Sequence, residues 1–338
     1  MTLLPPKKRY NLRDVARRAG VSVATVSRAM NTPARVSPDT LERVQTAMTD
    51  LRFVPSAAAR AINSGRSRVV AALLPTLDNS TYARVVDGLE NRLTDFGLSL
   101  TVAQTHGDGV AEEERAKQLI EIGAEGLILA GITHSADLLR LVEHIQIPTI
   151  TTSYYDAAYH LPTVGYDNRE AVHLAARHLE ALGHRNIAVV HAPLGTNDRF
   201  DQRRTALLSE PFDAEFTFFA VDTSVEGGVH AAQSILHSEN QPTSVICFSD
   251  ALALGVMSEL QRQGTSIPAD ISVMGIEDLP SSQFLYPSLT SVRLQVQDMG
   301  ERAAEAIAGW LETDKRPDHL KLPVELIHRA STAIARSE

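Results

Sequence analysis

The chain has 338 residues, 43% hydrophobic and 22% charged, with a formal net charge of -9. That length favours two or three folded units over one, because single cores stop growing near roughly 250–300 residues. A lone cysteine, Cys247, excludes an internal disulfide or a CxxC zinc site, and no apolar run approaches the ~20 residues that span a bilayer.

The charge is unevenly spread. Positions 1–68 hold 13 Lys and Arg against 4 Asp and Glu, a balance of +9; the remainder holds 19 against 37, a balance of -18. Such a split describes a basic module tethered to an acidic one, in which the first approaches phosphate and the second discourages indiscriminate sticking. The opening "MTLLPPKKRY" places its apolar piece before the basic one, the reverse of a signal peptide, so a soluble, cytoplasmic protein is expected.

Asn11 can cap a helix carrying Leu12, Val15 and Ala16 at helical spacing, and Gly20 supplies the positive φ that ends it. Ser22 caps a second helix, "VATVSRAMN", after only a few residues. Ser37 begins a third, with Pro38 at its first position and a stripe of Leu41, Val44, Ala47, Met48 and Leu51. Helix, glycine turn, helix is the arrangement that lays its second helix in the DNA major groove. A small three-helix core without DNA function would show the same spacing; the local balance of +9 argues against it. Next comes "PSAAARAINSGRSR", Pro55 to Arg68, which predicts a helix of about two turns, too short to be stable alone.

"LRDVARRAGVSVATVSRAMN", followed by "VSPDTLERVQTAMTDLRFVPSAAARAI", resembles the headpiece of the lactose-repressor (LacI) family over a long, ungapped stretch. The resemblance implies that Val23 and Ala24 open the recognition helix and read base edges. Around them Asn11, Ser22, Thr25, Ser27, Arg28 and Asn31 would contact phosphates and bases. Val23 and Ala24 can only touch thymine methyls or exclude wrong bases, so polar readout falls to Arg28. The resemblance also implies that 55–68 is a hinge helix, folding when two copies meet in the minor groove, with Ser56 and Ala59 at the DNA and Ile62 as the wedge. A homodimer on an inverted-repeat double-stranded operator follows from that symmetry.

From Val69 onward short apolar strands alternate with amphipathic helices. "VVAALLP", "LSLTVAQ", "GLILA", "IPTITT", "PTVGYD", "NIAVVHA", "TSVICFSD" and "DISVMGIED" read as strands, with helices near 80–96, 110–122 and 135–145. That alternation implies parallel sheets, and the length suffices for two. "LTSVRL", a helix from Gln295 to about Leu311, and "LPVEL" are surplus to a second sheet. The fold expected is an all-α headpiece (1–54) and hinge (55–68) before an α/β body (69–338) like the periplasmic sugar-binding proteins. Its first lobe would take 69–162 and 290–320, its second 163–289 and 321–335, with ligand between them.

Ligands in open α/β folds sit beyond the carboxyl ends of strands. By the family pattern, Arg203 falls where an arginine holds ligand oxygens and Glu277 where an acid accepts sugar hydroxyls. Ser249 falls where Asn or Asp is usual and Ser153 at a frequent ligand position; Asn79, Tyr82 and Arg199 complete the expected set. Helix capping would equally account for Asn79, Ser80 and Asp250, and surface ion pairs for the arginines. Thr223 stands where sugar repressors often place a stacking aromatic, and Arg199 beside Arg203 suits a carboxylate or phosphate. "LLPTLDNSTYARVVDGLE" and "VGYDNREA" resemble the gluconate-repressor branch, so a sugar acid is the expected effector.

No GxSxG, HExxH or P-loop occurs, and the 12 histidines lack metal-ligand spacing; neither catalysis, nor a metal, nor a cofactor is expected. Two alternatives stand beside an effector-controlled repressor of a carbohydrate operon. One is a catabolite-control regulator answering to a protein corepressor, and the other a sugar-binding protein that never meets DNA.

Overall fold

A computed structural model describes residues 10–54, 65–78 and 80–336. The chain divides into two compact units, Met1–Ser67 and Arg68–Glu338.

The first unit is built from α1 (Leu12–Ala19), α2 (Val23–Asn31) and α3 (Pro38–Asp50). Each start is fixed by a side-chain oxygen that satisfies amides the helix cannot reach. Asn11 accepts from the amides of Arg13 and Asp14, and Asp14 accepts from Asn11 in return, a complete capping box. Gly20 closes α1 at φ 67, a left-handed conformation that a side chain would strain. Ser22 and Ser37 cap α2 and α3. The three helices bury Val15, Ala16, Ala19, Val26, Ala29, Val44 and Ala47 against one another.

The second unit contains two six-stranded sheets. The first combines β1 (Val69–Leu74), β2 (Ser99–Gln104), β3 (Ala124–Ala130), β4 (Thr149–Thr152), β5 (Thr163–Tyr166) and β11 (Leu320–Leu322) in the order β11-β5-β4-β3-β1-β2. The second combines β6 (Asn186–His191), β7 (Glu215–Ala220), β8 (Ser244–Cys247), β9 (Ser272–Glu277), β10 (Thr290–Leu294) and β12 (Val324–Ile327) in the order β12-β10-β9-β8-β6-β7. Every pairing is parallel except β10 with β12. The strands are near-continuous apolar runs because helices cover both faces. Those helices are α4 (Ser80–Asp95), α5 (Gly109–Glu121), α6 (Ala136–Ile145), α7 (Asn168–Ala181), α8 (Asp198–Ser209), α9 (Val225–Leu236), α10 (Asp250–Arg262) and α11 (Val296–Thr313).

The lobe boundaries differ from those expected. β5 is hydrogen-bonded into the first sheet, so the chain leaves that lobe after Tyr166 instead of at 162. β10 pairs with β9 in the second sheet, and the return crossing falls after Leu294. The last crossing follows Leu322, where Pro323, with no N–H to give, separates β11 from β12. β7, "EFTFFA", was absent from the expected strands. It is a sheet edge with no fully buried residue, so its alternation is weak.

α11 returns to the first lobe and packs on α4 at backbone contact. A Cβ on Gly88 would stand 2.3 Å from the Gln297 carbonyl oxygen, and one on Gly300 2.4 Å from that of Val85. Among the described residues no helix is long and apolar enough to cross a membrane.

Candidate functional site

In the headpiece, α2 turns Val26 and Ala29 into the core, and helical spacing carries Val23, Ala24 and Arg28 to the opposite face. Val23 is 41% exposed, so its apolar side chain is accessible to a partner. The Arg28 guanidinium is exposed and makes no hydrogen bond to the described residues. Ser22 and Thr25 are less available than expected. Their hydroxyls bond each other at 2.8 Å while the Ser22 Oγ accepts from the Thr25 amide. Asn11 likewise has its carboxamide oxygen committed to the cap of α1, and Ser27 is half-buried. Asn31 ends α2. Ser56, Ala59 and Ile62 lie outside the described residues, as does Asn79 in the body.

In the body, both sheets aim their carboxyl ends at one cavity of about 460 Å³. Thr76 follows β1, His106 follows β2, Ser153 follows β4, and Tyr166 ends β5; from the second sheet come Ala192 after β6, Thr223 after β7 and Glu277 at the end of β9. Helix starts supply Thr81 and Tyr82 from α4, and Arg199, Phe200 and Arg203 from α8. Of the seven residues expected here, Tyr82, Ser153, Arg199, Arg203 and Glu277 line it together. Ser249 does not. It is buried as the cap of α10, accepting from the Leu252 amide at 3.3 Å, so its local capping signal outweighed its place in the family pattern.

Arg203 is 2% exposed. Its Nε donates to Asn168 Oδ1 at 3.0 Å and its Nη1 to the Phe248 carbonyl, while Nη2 makes no hydrogen bond to the described residues. Burial pulls its pKa down to about 10, against the raising influence of Tyr166 and Glu277; it remains a cation at neutral pH. The guanidinium also lies 5.3 Å from the centroid of the Phe200 ring, a cation–π contact that helps to orient it. Asn168 was not anticipated. Its Nδ2 donates to the Ser153 carbonyl at 3.2 Å, so one carboxamide links the end of β4 to Arg203.

Arg199 is more fully paired. Its Nη1 meets Asp198 Oδ1 at 2.9 Å and its Nη2 donates to the Tyr82 hydroxyl at 3.0 Å. Burial opposes its charge, but Tyr82 and Asp198 more than compensate and hold its pKa above the ordinary value. Arg203 is therefore the less neutralised of the two cations. Burial, reinforced by Asp250, pushes Glu277 up to about 7, against the lowering influence of Thr81 and Arg203. Ser153 and Glu277 also hold positive φ, 67 and 131. Non-glycine backbone strain of this kind costs on the order of 1–3 kcal/mol and concentrates at ligand sites. Phe200 was also missed; its ring lines the cavity and packs edge-on against Phe248, although position 223 is a threonine. No group of three or more metal-ligating side chains occurs among the described residues.

A helix-turn-helix unit with an exposed apolar pair and a two-lobed α/β body around a polar cavity define a DNA-reading regulator with a metabolite-binding body. Residues 11–56 match the profile "Bacterial regulatory proteins, lacI family", and residues 67–330 match "Periplasmic binding proteins and sugar binding domain of LacI family". The chain belongs to the LacI family. It is 31% identical over 331 residues to the HTH-type transcriptional regulator GntR of Pseudomonas aeruginosa, covering 96% of each chain. It is 30% identical over 324 residues to the HTH-type transcriptional repressor PurR of Vibrio atlanticus, covering 93% of this chain and 95% of that one. Among solved structures, a LacI-family transcriptional regulator from Silicibacter pomeroyi superimposes with TM-score 0.84 at 25% identity, covering 97% of this chain and 100% of that one. The lac repressor dimer bound to operator and the anti-inducer ONPF shares the fold at TM-score 0.86 and 24% identity, covering 96% and 100%.

Proposed function

We propose that the protein is a homodimeric repressor of a carbohydrate operon whose grip on an inverted-repeat operator is controlled by a small sugar acid. Val23, Ala24 and Arg28 are the base-reading face, and the basic first 68 residues supply the phosphate attraction. The observation that carries the effector reading is Arg203, a buried guanidinium lining a polar cavity of about 460 Å³ with Nη2 unspent. A buried cation without a full set of partners is costly, and a carboxylate on the ligand supplies the missing acceptor. Glu277 and Tyr82 would bind the polyol hydroxyls, Ser153 would add a further polar contact, and the Phe200 ring offers an apolar face to the carbon chain. Arg199, held by Asp198 and Tyr82, would orient the ligand more than neutralise it.

Isothermal titration of the full chain with gluconate, glucose and galactose tests this, alongside operator binding by fluorescence anisotropy. Gluconate is expected to bind once per chain and to change operator affinity, with the neutral hexoses at least tenfold weaker. Equal binding of acid and neutral sugar overturns the sugar-acid reading. Failure of all small sugars to bind, with operator binding intact, favours control by a protein corepressor.

A further inference from the structure

α8 begins in the second lobe with Asp198, yet the carboxylate of Asp198 is seated on the first. Its Oδ2 accepts from the backbone amides of Ile132 at 2.6 Å and Thr133 at 3.0 Å, in the loop that follows β3. Its Oδ1 accepts from Arg199 at 2.9 Å, and the side chain is only 13% exposed. The seat is shaped for it from below. Gly131 holds φ +85, and a Cβ there would stand 2.5 Å from Asp198 Oδ2 and 2.6 Å from Arg199 Nη1. The loop is braced in turn by His134, whose side chain is 1% exposed. Its Nε2 lies 3.1 Å from the Gly131 carbonyl oxygen, which can only accept, and its Nδ1 lies 2.9 Å from Glu112. Asp198 itself does not line the effector cavity, although its neighbour Arg199 does.

We propose that Asp198 is a clasp that holds the two lobes together in the absence of effector. A carboxylate receiving two amides and a guanidinium has charge-assisted bonds on both sides of the cleft. Opening the lobes would return that carboxylate and two loop amides to water. The clasp therefore biases the body toward the closed form before any ligand arrives. Because Asp198 and Arg199 are consecutive, it also fixes Arg199 in place, a consequence that rests on the effector reading above.

The test is the interlobe distance in the effector-free, full-length protein. Spin labels go on Ile122→Cys in the first lobe and Leu208→Cys in the second, which are 67% and 58% exposed in the parent; the native Cys247 is buried. Labelled chain is diluted into unlabelled chain so that distances within one chain dominate. The parent should give one short distance. Asp198→Asn keeps the size, but an amide can serve the two loop amides or Arg199, not both, so the closed-to-open ratio should fall roughly tenfold. Asp198→Ala should fall at least as far.

Gly131→Ala damages the same seat from the first lobe, and combining it with Asp198→Asn should open the body no further than either alone. Should Gly131→Ala fail to fold, the two Asp198 variants decide the matter by themselves. Distance distributions of both Asp198 variants that coincide with the parent overturn the clasp, as does full additivity with Gly131→Ala. Adding gluconate to Asp198→Asn is a separate readout. Recovery of the short distance supports the effector reading; where it does not recover, gluconate binding by the parent decides, and its absence there counts against that reading and not against the clasp.

Discussion

In the headpiece, the groups that would meet a ligand stand outward on one short helix, close together in sequence and set against a core of valines and alanines. In the body, they converge inward from strand ends and helix starts spread between Thr76 and Glu277. The first surface keeps its side chains solvated until a charged partner replaces the water. The second desolvates Arg203 and Glu277 at the outset, and their shifted pKa values record that cost. A phosphate-reading surface can be exposed because its partner is large and supplies its own field. A metabolite offers few atoms, so its site must be dry, polar and organised beforehand.

That contrast can be broken most sharply at Arg203. Arg203→Ala should weaken gluconate binding by at least about 100-fold, because it removes a buried charge-assisted contact. It should also abolish the effector's influence on operator binding in anisotropy titrations. An undiminished response in this variant would show that the cavity is not where the effector acts.

The close contact of α4 and α11 supplies a purely structural counterpart. Gly88→Ala drives a Cβ into the Gln297 carbonyl and should destabilise the body by about 1–3 kcal/mol. Differential scanning calorimetry should show the body's transition falling while the headpiece's transition, carried by its own core, stays. Equal shifts in both would mean that the two units do not melt independently.

Arg28→Ala is the matching lesion on the DNA side. It should cost about 1–3 kcal/mol of operator affinity if the guanidinium reads a base, with relaxed discrimination at one operator position. If it contacts phosphate, affinity should drop uniformly across operator variants and the salt slope should shrink by about one. The two outcomes assign the residue's role.

The regions also differ in how far they could be read from sequence. The headpiece is governed by short-range rules, so Asn11, Gly20, Ser22 and Ser37 announce its helix ends and the stripe on α3 announces its core. Apart from the edge strand β7, the strands of the body were legible for the same reason. Which sheet each strand joins was not, because β5 and β10 carry the same local pattern in either lobe and only the crossings decide. In the cavity, Arg203 and Glu277 were visible through the family pattern. Asn168 was not, since its partners Ser153 and Arg203 lie 15 and 35 residues away in the chain. Ser249 shows the converse: a serine ahead of a helix is first a cap.

The smallest effect, and the one that best separates an acid from a neutral effector, is the pH dependence set by Glu277. Its pKa in the folded protein is about 7, against an ordinary 4.5, because burial and Asp250 outweigh Thr81 and Arg203. Folding thus holds this proton more tightly than the unfolded chain does. The resulting contribution to stability is greatest below the ordinary value and is lost as pH rises through about 7. A bound carboxylate adds negative charge to the same cavity and favours the protonated form further, so binding should take up a proton. Gluconate affinity should then be highest below pH 7 and fall above it, by at most about tenfold per pH unit. A neutral polyol that donates its hydroxyls to Glu277 would favour the carboxylate, and its affinity should rise over the same interval. Titrations from pH 6 to about 8.5, in buffers of different ionisation enthalpy, count the proton directly. Glu277→Gln should flatten either profile. A gluconate affinity that rises with pH in the parent would mean that Glu277 meets the ligand as a charged hydroxyl acceptor, with no carboxylate beside it.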